Sequence, residues 1–374
     1  MTSGHERIIV GLSGGVDSAV SALVLQRAGY RVEGLFMKNW EDDDTDSVCT
    51  AAEDRAFARQ VCDELGIPLH HANFAQRYRD EVFERCLNEF RRGRTPNPDV
   101  LCNRQIKFGA LLEHARRLGA DRLATGHYAG IDATAQHYRL IRAADANKDQ
   151  TYFLHALTQE QLAHACFPLA DRNKDEVRRV AADVGFDNFN RKDSTGICFI
   201  GERDFRSFLA RYIDPEPGPI RSLDGEYLGE HIGLPFYTIG QRRGLDLGGR
   251  GANASAPWYV AAKRGDRNEL IVVQGHDHPS LYSRALTAES ATWIAGEAPA
   301  LPLDCTARTR YRQPDQSCRL LTDQNRVRVE FQEPQRAITP GQHVVFYHGQ
   351  VCLGGAIIDD CEALPNGEAQ DVSA

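Results

Sequence analysis

The sequence predicts an α/β fold: a parallel sheet covered by helices on both faces, followed by a small central domain and a C-terminal β-barrel. Three observations carry this expectation. Strand and helix patterns alternate from residue 7 to residue 127, which implies parallel strands joined by crossover helices. The Pro/Gly-rich stretch "DPEPGP" at 214–219 is one that a helix cannot cross. Beyond it the chain reads as short strands and turns, the pattern of a small barrel. At 374 residues the chain exceeds one ordinary core, and units are expected at 1–205, 206–278 and 279–374, the last with a disordered tail after Leu364.

Each element has a local reason. Residues 7–11 are a β-branched strand, 17–28 a helix closed by Gly29, and 31–37 a second strand. A helix over 49–65 stops at Gly66, and 67–74 gives a third strand. Helices over 76–92 and 104–118 stop at Gly93 and Gly119, and "DRLATGH" at 121–127 is a fourth strand. Glycine ends helices because it enters the left-handed region without a Cβ clash. Asn173, with Glu176 three residues later, suits a helix start, Gly185 suits its stop, and another helix falls near 203–212. Farther on, Leu223-Asp224-Gly225-Glu226 carries a hairpin signal, 258–273 reads as two strands around a turn, and 326–331 and 343–359 alternate as strands do.

An apolar share of 42% with 26% charged residues belongs to a globular protein. No apolar run approaches the roughly 20 residues that span a bilayer, and "MTSGHER" lacks the apolar centre of a signal peptide. A cytoplasmic location without membrane contact is expected. The formal charge of −8 argues against indiscriminate nucleic-acid binding, although Arg91-Arg92-Gly93-Arg94, Arg116-Arg117 and Arg242-Arg243 leave room for local basic surfaces. The ten cysteines form no C-x-x-C pair and no zinc spacing. Cys49, Cys62 and Cys86 fall on helical faces and read as core. Cys102, after "TPNPD", and Cys198, after "DSTGI", are expected in exposed polar loops. His276-Asp277-His278, beside Pro279, reads as a turn rather than a metal site.

The stretch "IIVGLSGGVDS" at 8–18 looks like a phosphate cradle. It lacks the lysine of G-x-x-x-x-G-K-[ST], and Gly11, Gly14 and Gly15 have the wrong spacing for G-x-G-x-x-G. Glycines let backbone N–H groups approach a phosphate, Ser13 and Ser18 add hydroxyl donors, and the helix N-terminus adds its dipole. Asp17 would repel a phosphate unless a cation lies between them, for which Mg²⁺ is suited. The alternative is a plain strand–helix turn with Asp17 as N-cap.

"SGGVDS" resembles the signature of the PP-loop ATP pyrophosphatases, which cleave ATP between the α and β phosphates. "GLFMKNW" (34–40), "GRTPNPDVLCN" (93–103), "ATGHYA" (124–129), "NKDQTYFL" (147–154), "KDSTGICFIGER" (192–203), "TIGQRRGL" (238–245), "TRYRQ" (309–313), "TPGQHVVFY" (339–347) and "CLGGAII" (352–358) resemble, in order, the bacterial tRNA-specific 2-thiouridylases. The resemblance implies an adenine nucleotide hydrolase-like PP-loop domain that adenylates the C2 oxygen of a tRNA wobble uridine and then transfers sulfur to it. Gly11, Leu12, Ser13, Gly14, Gly15, Val16, Asp17, Ser18, Met37 and Gly126 would hold ATP, with Asp17 toward Mg²⁺. Cys198 would carry a persulfide supplied by a donor protein, a sulfur relay or cysteine desulfurase. Cys102 would be the nucleophile that completes sulfur release, leaving a Cys102–Cys198 disulfide, and Asp99 would act as general acid/base. A turn-capping Asp99 is the bland alternative. Asn97, Pro98 and Asp99 would face the target base; His127, Lys148, Asp149, Gln150, Arg310, Tyr311 and Gln342 would meet tRNA. A monomer is expected in the absence of tRNA. The rivals are a small-molecule PP-loop ligase, which would turn over without RNA, and a non-catalytic RNA-binding module, which would show no ATP–pyrophosphate exchange.

Overall fold

The computed structural model describes residues 6–41, 50–191, 205–248 and 256–364. The first sheet is built from β1 (Arg7–Leu12), β2 (Arg31–Lys38), β3 (Leu69–Asn73) and β4 (Arg122–Ala124). A hairpin of β5 (Gly130–Ala133) and β6 (Tyr138–Ile141) precedes the fifth member, β7 (Ala165–Cys166). The order is β3-β2-β1-β4-β7, and every pairing is parallel. Ile8, Ile9 and Val10 are completely buried, as the central strand of a two-face-covered sheet must be. Ile8 and Val10 pack with Ala22 and Leu25 of α1 (Val16–Arg27) and with Ala58 and Cys62 of α2 (Thr50–Leu65). Ile9 meets Phe108, Leu111, Leu112 and Ala115 on the other face.

From β1 the chain steps outward to β2 and β3, then returns to the far side of β1 with β4. The strand order therefore switches between β1 and β4, which opens a crevice beyond their carboxyl ends. The loop at 13–15 lies there.

Two helical runs cover the second face and its flank. The first is α3 (Ala75–Tyr78), a π-helical segment Arg79–Phe83 and α4 (Glu84–Arg91). The second is α5 (Pro98–Leu101), a π-helical segment Cys102–Leu111 and α6 (Leu112–Arg117). This second run corrects the sequence reading, which placed an exposed loop up to Cys102 and began the helix at 104. The Asn97 side chain accepts from the N–H groups of Asp99 and Val100 (3.2 and 3.4 Å), and Pro98 occupies the first turn, where a missing N–H costs nothing. The prolines start the helix instead of excluding it. Cys102 is completely buried, not exposed.

After β6 come α7 (Thr151–Leu154), α8 (Gln159–Ala163) and α9 (Lys174–Val184). Asn173 caps α9 by accepting from Glu176 N at 2.9 Å, and Gly185 ends it at φ 85°. A short helix α10 (Phe205–Leu209) leads into the central domain. There β8 (Gly218–Ser222), β9 (Tyr227–His231), β10 (Trp258–Arg264) and β11 (Glu269–Gln274) form a sheet in the order β10-β11-β8-β9. The C-terminal domain is a closed six-stranded barrel of β12 (Tyr282–Trp293), β13 (Leu303–Arg308), β14 (Gln316–Asp323), β15 (Arg326–Arg336), β16 (His343–His348) and β17 (Val351–Ala363). Its order is β12-β15-β14-β13-β16-β17, closed by β17 pairing with β12. Hairpin β5–β6 extends the same sheet through Leu140 opposite Cys352. This hairpin left no mark in the sequence, because only Leu140 in it is buried and no alternation marks four-residue strands. Among the described residues no helix is long and apolar enough to cross a membrane. Cys49, Cys198 and the tail beyond Leu364 lie outside the described residues.

The N-terminal α/β domain and the barrel meet over a buried histidine pair. His155 Nδ1–H donates to Tyr152 O at 2.8 Å, so its Nε2 accepts from His343 Nδ1–H at 3.2 Å. Both rings are therefore neutral. Burial pushes the His155 imidazole down from 6.5 to about 4. It pushes His343 and His127 well below 6.5, with the facing cation of Lys107 adding to the effect at His127. In the unfolded chain these histidines take up protons that the folded state refuses, so stability falls as pH drops through 6.5 toward 4. The urea midpoint is expected to decline over that window, and His155→Gln should flatten the dependence by up to about one proton. An unchanged midpoint between pH 6.5 and pH 4 would contradict this.

Candidate functional site

The loop after β1 is shaped by backbone constraints. Gly14 stands at φ 76°, and a Cβ there would lie 2.6 Å from Asp54 O. Gly15 is the N-cap of α1 and supplies no side-chain cap, so the first N–H groups of a 12-residue helix stay open at its positive end. Asp17 is therefore not the N-cap. Ser18 Oγ donates to Gly15 O at 2.9 Å and lies 3.4 Å from Ser13 Oγ, which places two hydroxyls beside the open turn. Gly126, just past β4, has its Cα against α1: a Cβ would lie 2.8 Å from Ser18 N. Gly14 O is fixed by Asn188 Nδ2 at 3.0 Å and Arg191 Nη1 at 3.3 Å. Such an arrangement binds anions, and phosphates foremost.

The lysine absent from the loop arrives from elsewhere. Lys174 Nζ donates to both oxygens of Asp17, at 2.8 and 2.7 Å, and its side chain is only 7% exposed. Tyr128 Oη donates to Asp17 Oδ1 at 2.8 Å. Asp17 is thus neutralised by an ammonium. Both of its oxygens accept hydrogen bonds here, three in all from Lys174 and Tyr128. Among the described residues no group of three His, Cys, Asp or Glu side chains could hold a metal. Lys174, Tyr128, Asn188 and Arg191 were missed by sequence reasoning. One signal existed: a lysine in the first turn of α9, where the helix dipole disfavours a cation.

A second group of residues lies on α5. Asp99 Oδ1 is buried and has no hydrogen-bond partner among the described residues. An unpaired buried carboxylate oxygen is costly, and such groups collect at sites that complete them with a ligand. One turn later Cys102 enters a cluster with Phe83, Cys86, Phe90, Ile106 and Phe208. Burial, with Asp99 nearby, pushes the Cys86 thiol up to about 12, and burial does the same to Cys62; these are inert core thiols. Met37 at the end of β2 packs both against the Cys102 cluster and against the cluster that holds Ile9 and Phe108.

The other expected contact residues fall into two sets. Leu12 and Val16 are buried beneath the loop, Gly11 lines its floor against Leu111, and Lys148 lies half-buried just before Asp149. Asp149 is 2% exposed, and its carboxylate accepts from Ala143 N, Thr151 N and Thr151 Oγ1. Gln150 Oε1 accepts from Tyr128 N, and Arg310 donates to Ala337 O and Ile239 O. Gln342 Nε2 donates to Thr95 O and Pro96 O. His127 is buried between Phe108 and Phe167 and hydrogen-bonded to Thr125 Oγ1 at 2.7 Å, and Tyr311 packs on Phe153. Asp149, Gln150, Arg310 and Gln342 are engaged within the chain in this state.

Residues 6–202 match the family described as tRNA methyl transferase HUP domain, residues 206–274 the tRNA methyl transferase PRC-barrel domain, and residues 283–358 the aminomethyltransferase beta-barrel domain. The chain is 59% identical over 355 residues to the "tRNA-specific 2-thiouridylase MnmA" of Alkalilimnicola ehrlichii, covering 94% of this chain and 97% of that protein. Proteins of the same name from Alcanivorax borkumensis and Methylococcus capsulatus are 58% and 57% identical, over 95% and 94% of this chain and 97% and 96% of theirs.

The Asp17–Lys174 pair can be tested by calorimetry with a non-hydrolysable ATP analogue. Lys174→Met leaves the Asp17 carboxylate facing the phosphates and should weaken binding by about 10- to 100-fold, the worth of one charge-assisted hydrogen bond. The double variant Lys174→Met/Asp17→Asn removes the repulsion and should recover part of the loss. Wild-type affinity in Lys174→Met would overturn this account of the loop.

Proposed function

The chain belongs to the tRNA-specific 2-thiouridylase family, and from that premise we propose that it thiolates the wobble uridine of tRNA at C2 at the expense of ATP. The observation that carries this reading is the pairing, in one fold, of an open phosphate cradle with a buried carboxylate–thiol helix start at Asn97–Cys102. The open N-terminus of α1, with Ser13, Gly14, Gly15 and Ser18, holds the β and γ phosphates as an intact pyrophosphate leaving group. Lys174 screens Asp17 and lends positive charge to the departing pyrophosphate. Magnesium would enter with the nucleotide as part of the substrate. Gly11, Leu12, Met37 and Gly126 surround the adenosine.

Attack by the uridine C2 oxygen on the α phosphorus forms the adenylated base and releases pyrophosphate. Asn97, Pro98 and Asp99 face the base, which must be splayed out of its stack to be reached. The unpaired Asp99 Oδ1 suits a carboxylate that accepts a proton from, or orients, this base. A persulfide on Cys198, charged by a persulfide-bearing donor protein in the cytoplasm, attacks C2, and AMP departs with the original oxygen. The base is then joined to Cys198 through two sulfurs. The Cys102 thiolate attacks Sγ of Cys198, the S–S bond to the base breaks, and 2-thiouridine is released. The Cys102–Cys198 disulfide requires two electrons from a thiol reductant before the next turnover. The PP-loop domain (1–205) carries this chemistry, and the central domain (206–278) and barrel (279–374) contribute tRNA contacts.

Serine at either cysteine should abolish thiolation, since a hydroxyl neither carries a persulfide nor exchanges with a disulfide. Both variants should retain ATP and tRNA binding. Incubation with labelled persulfide donor should place sulfur on Cys102→Ser but not on Cys198→Ser. Label on Cys102 instead would reverse the roles, and full activity in either variant would remove that cysteine from the reaction.

A further inference from the structure

The segment Gly93–Asn97 lies between α4 and α5, and every domain of the protein grips it. At the end of α4, Gly93 N donates to Phe90 O at 2.8 Å and Arg94 N to Glu89 O at 3.0 Å. Gly93 stands at φ 75°, so this is a glycine-terminated helix end whose last carbonyls point outward at the negative pole of the dipole. From the central domain, Lys263 Nζ on β10 donates to Gly93 O at 2.9 Å, and Thr238 Oγ1 lies 3.3 Å from Thr95 Oγ1. From the barrel, Pro340 O accepts from Thr95 N at 2.9 Å, and Gln342 Nε2 spans Thr95 O and Pro96 O at 2.9 and 3.1 Å. Gly341 touches the strap so closely that a Cβ would lie 2.8 Å from Thr95 N. Arg94 reaches back to the barrel at Ile358 O, Glu289 and Asp359.

Among these contacts Lys263 is the costly one. Its sole hydrogen-bond partner among the described residues is the Gly93 carbonyl, with no carboxylate in an ion pair. Burial pushes its amine down to about 8. A cation held from water with one neutral acceptor costs stability, and such costly groups concentrate where position serves function. What it serves follows from the chain: four residues past Gly93 the Asn97 side chain sets the first turn of α5, and that turn sets Asp99 and Cys102.

We propose that Lys263 is a positioning residue for sulfur transfer, acting from the central domain through the Gly93–Asn97 strap on Asp99 and Cys102. Gln342 performs the same task from the barrel. The residues that the tRNA-binding domains offer to the strap thereby couple the seating of RNA to the geometry of the thiol. This inference rests on the reading of Cys102 as the thiol that completes sulfur release.

The test compares full-length wild type, Lys263→Met, Lys263→Arg and Gln342→Ala. Thiolation is followed with ATP, a tRNA transcript, and a cysteine desulfurase with cysteine as sulfur source. Lys263→Met should lower kcat about tenfold, within the range that sub-ångström misplacement of a reacting group commands, while the KM for tRNA and the affinity for ATP stay within about twofold. Lys263→Arg keeps a cationic donor and should return kcat to within about threefold of wild type. In parallel, iodoacetamide labelling mapped by mass spectrometry should accelerate at Cys102 in Lys263→Met and Gln342→Ala but not at Cys352 in the barrel. Unchanged kcat in Lys263→Met overturns the proposal, as does unchanged Cys102 labelling. So does a loss shared equally by kcat, ATP affinity and Cys352 protection, which marks general damage. If wild type itself makes no thiouridine, the functional reading fails, and the labelling result still decides whether the strap governs Cys102.

Discussion

The contact between Asp17 and Lys174 joins two parts of the chain that are 157 residues apart, at 2.7 Å. A carboxylate at the mouth of a phosphate cradle repels the ligand that the cradle is built to hold. The pair removes that conflict, and both helices must be in place for it to form. α1 follows β1, and α9 packs on α1 through Val177 and Ala181 against Val16, Ala19 and Val20. The switch in strand order between β1 and β4 brings Gly126 and Tyr128 to the same point. The open helix end, the screened carboxylate and the glycine floor are therefore consequences of one topology.

A second constraint governs the sulfur side. Cys102 is packed in an apolar cluster, and burial pushes the thiol of its neighbour Cys86 up to about 12. Their difference lies in what precedes them. Cys86 sits in the interior of α4, whereas Cys102 follows a helix start whose Asp99 keeps an unsatisfied buried oxygen. The strap ahead of that start is shared by three domains, so the thiol inherits its position from surfaces remote in sequence. A buried thiol of this kind reacts only when substrate or local rearrangement exposes it. In the proposed reaction, burial shields this thiol from oxidants until the base is seated.

Much of this was legible in the sequence, for identifiable reasons. The glycines at 29, 66, 93, 119 and 185 all take positive φ at helix ends, because glycine does so with no Cβ clash. The Gly- and Ser-rich loop revealed its chemistry because its constraint is local: backbone approach and a helix N-terminus. Lys174 stayed hidden because an ion pair across 157 positions leaves no local mark beyond an ill-placed cation. The burial of Cys102 stayed hidden because two prolines suggested a loop, although Asn97 followed by Pro98 is also how a helix begins. Gln342 and Arg310 read as surface contacts with RNA, yet their side chains hold internal carbonyls, and only the assembled domains display those acceptors.

In the proposed reaction the cradle preserves pyrophosphate as a leaving group and delivers AMP to a tRNA base. Phosphorus NMR of a reaction containing the protein, Mg·ATP, tRNA and a persulfide donor tests it most directly, with thiolated uridine counted by mass spectrometry in the same sample. AMP and pyrophosphate are expected in equal amounts, one of each for every 2-thiouridine formed. ADP and orthophosphate as the products, or AMP formed at the same rate without tRNA, would contradict it.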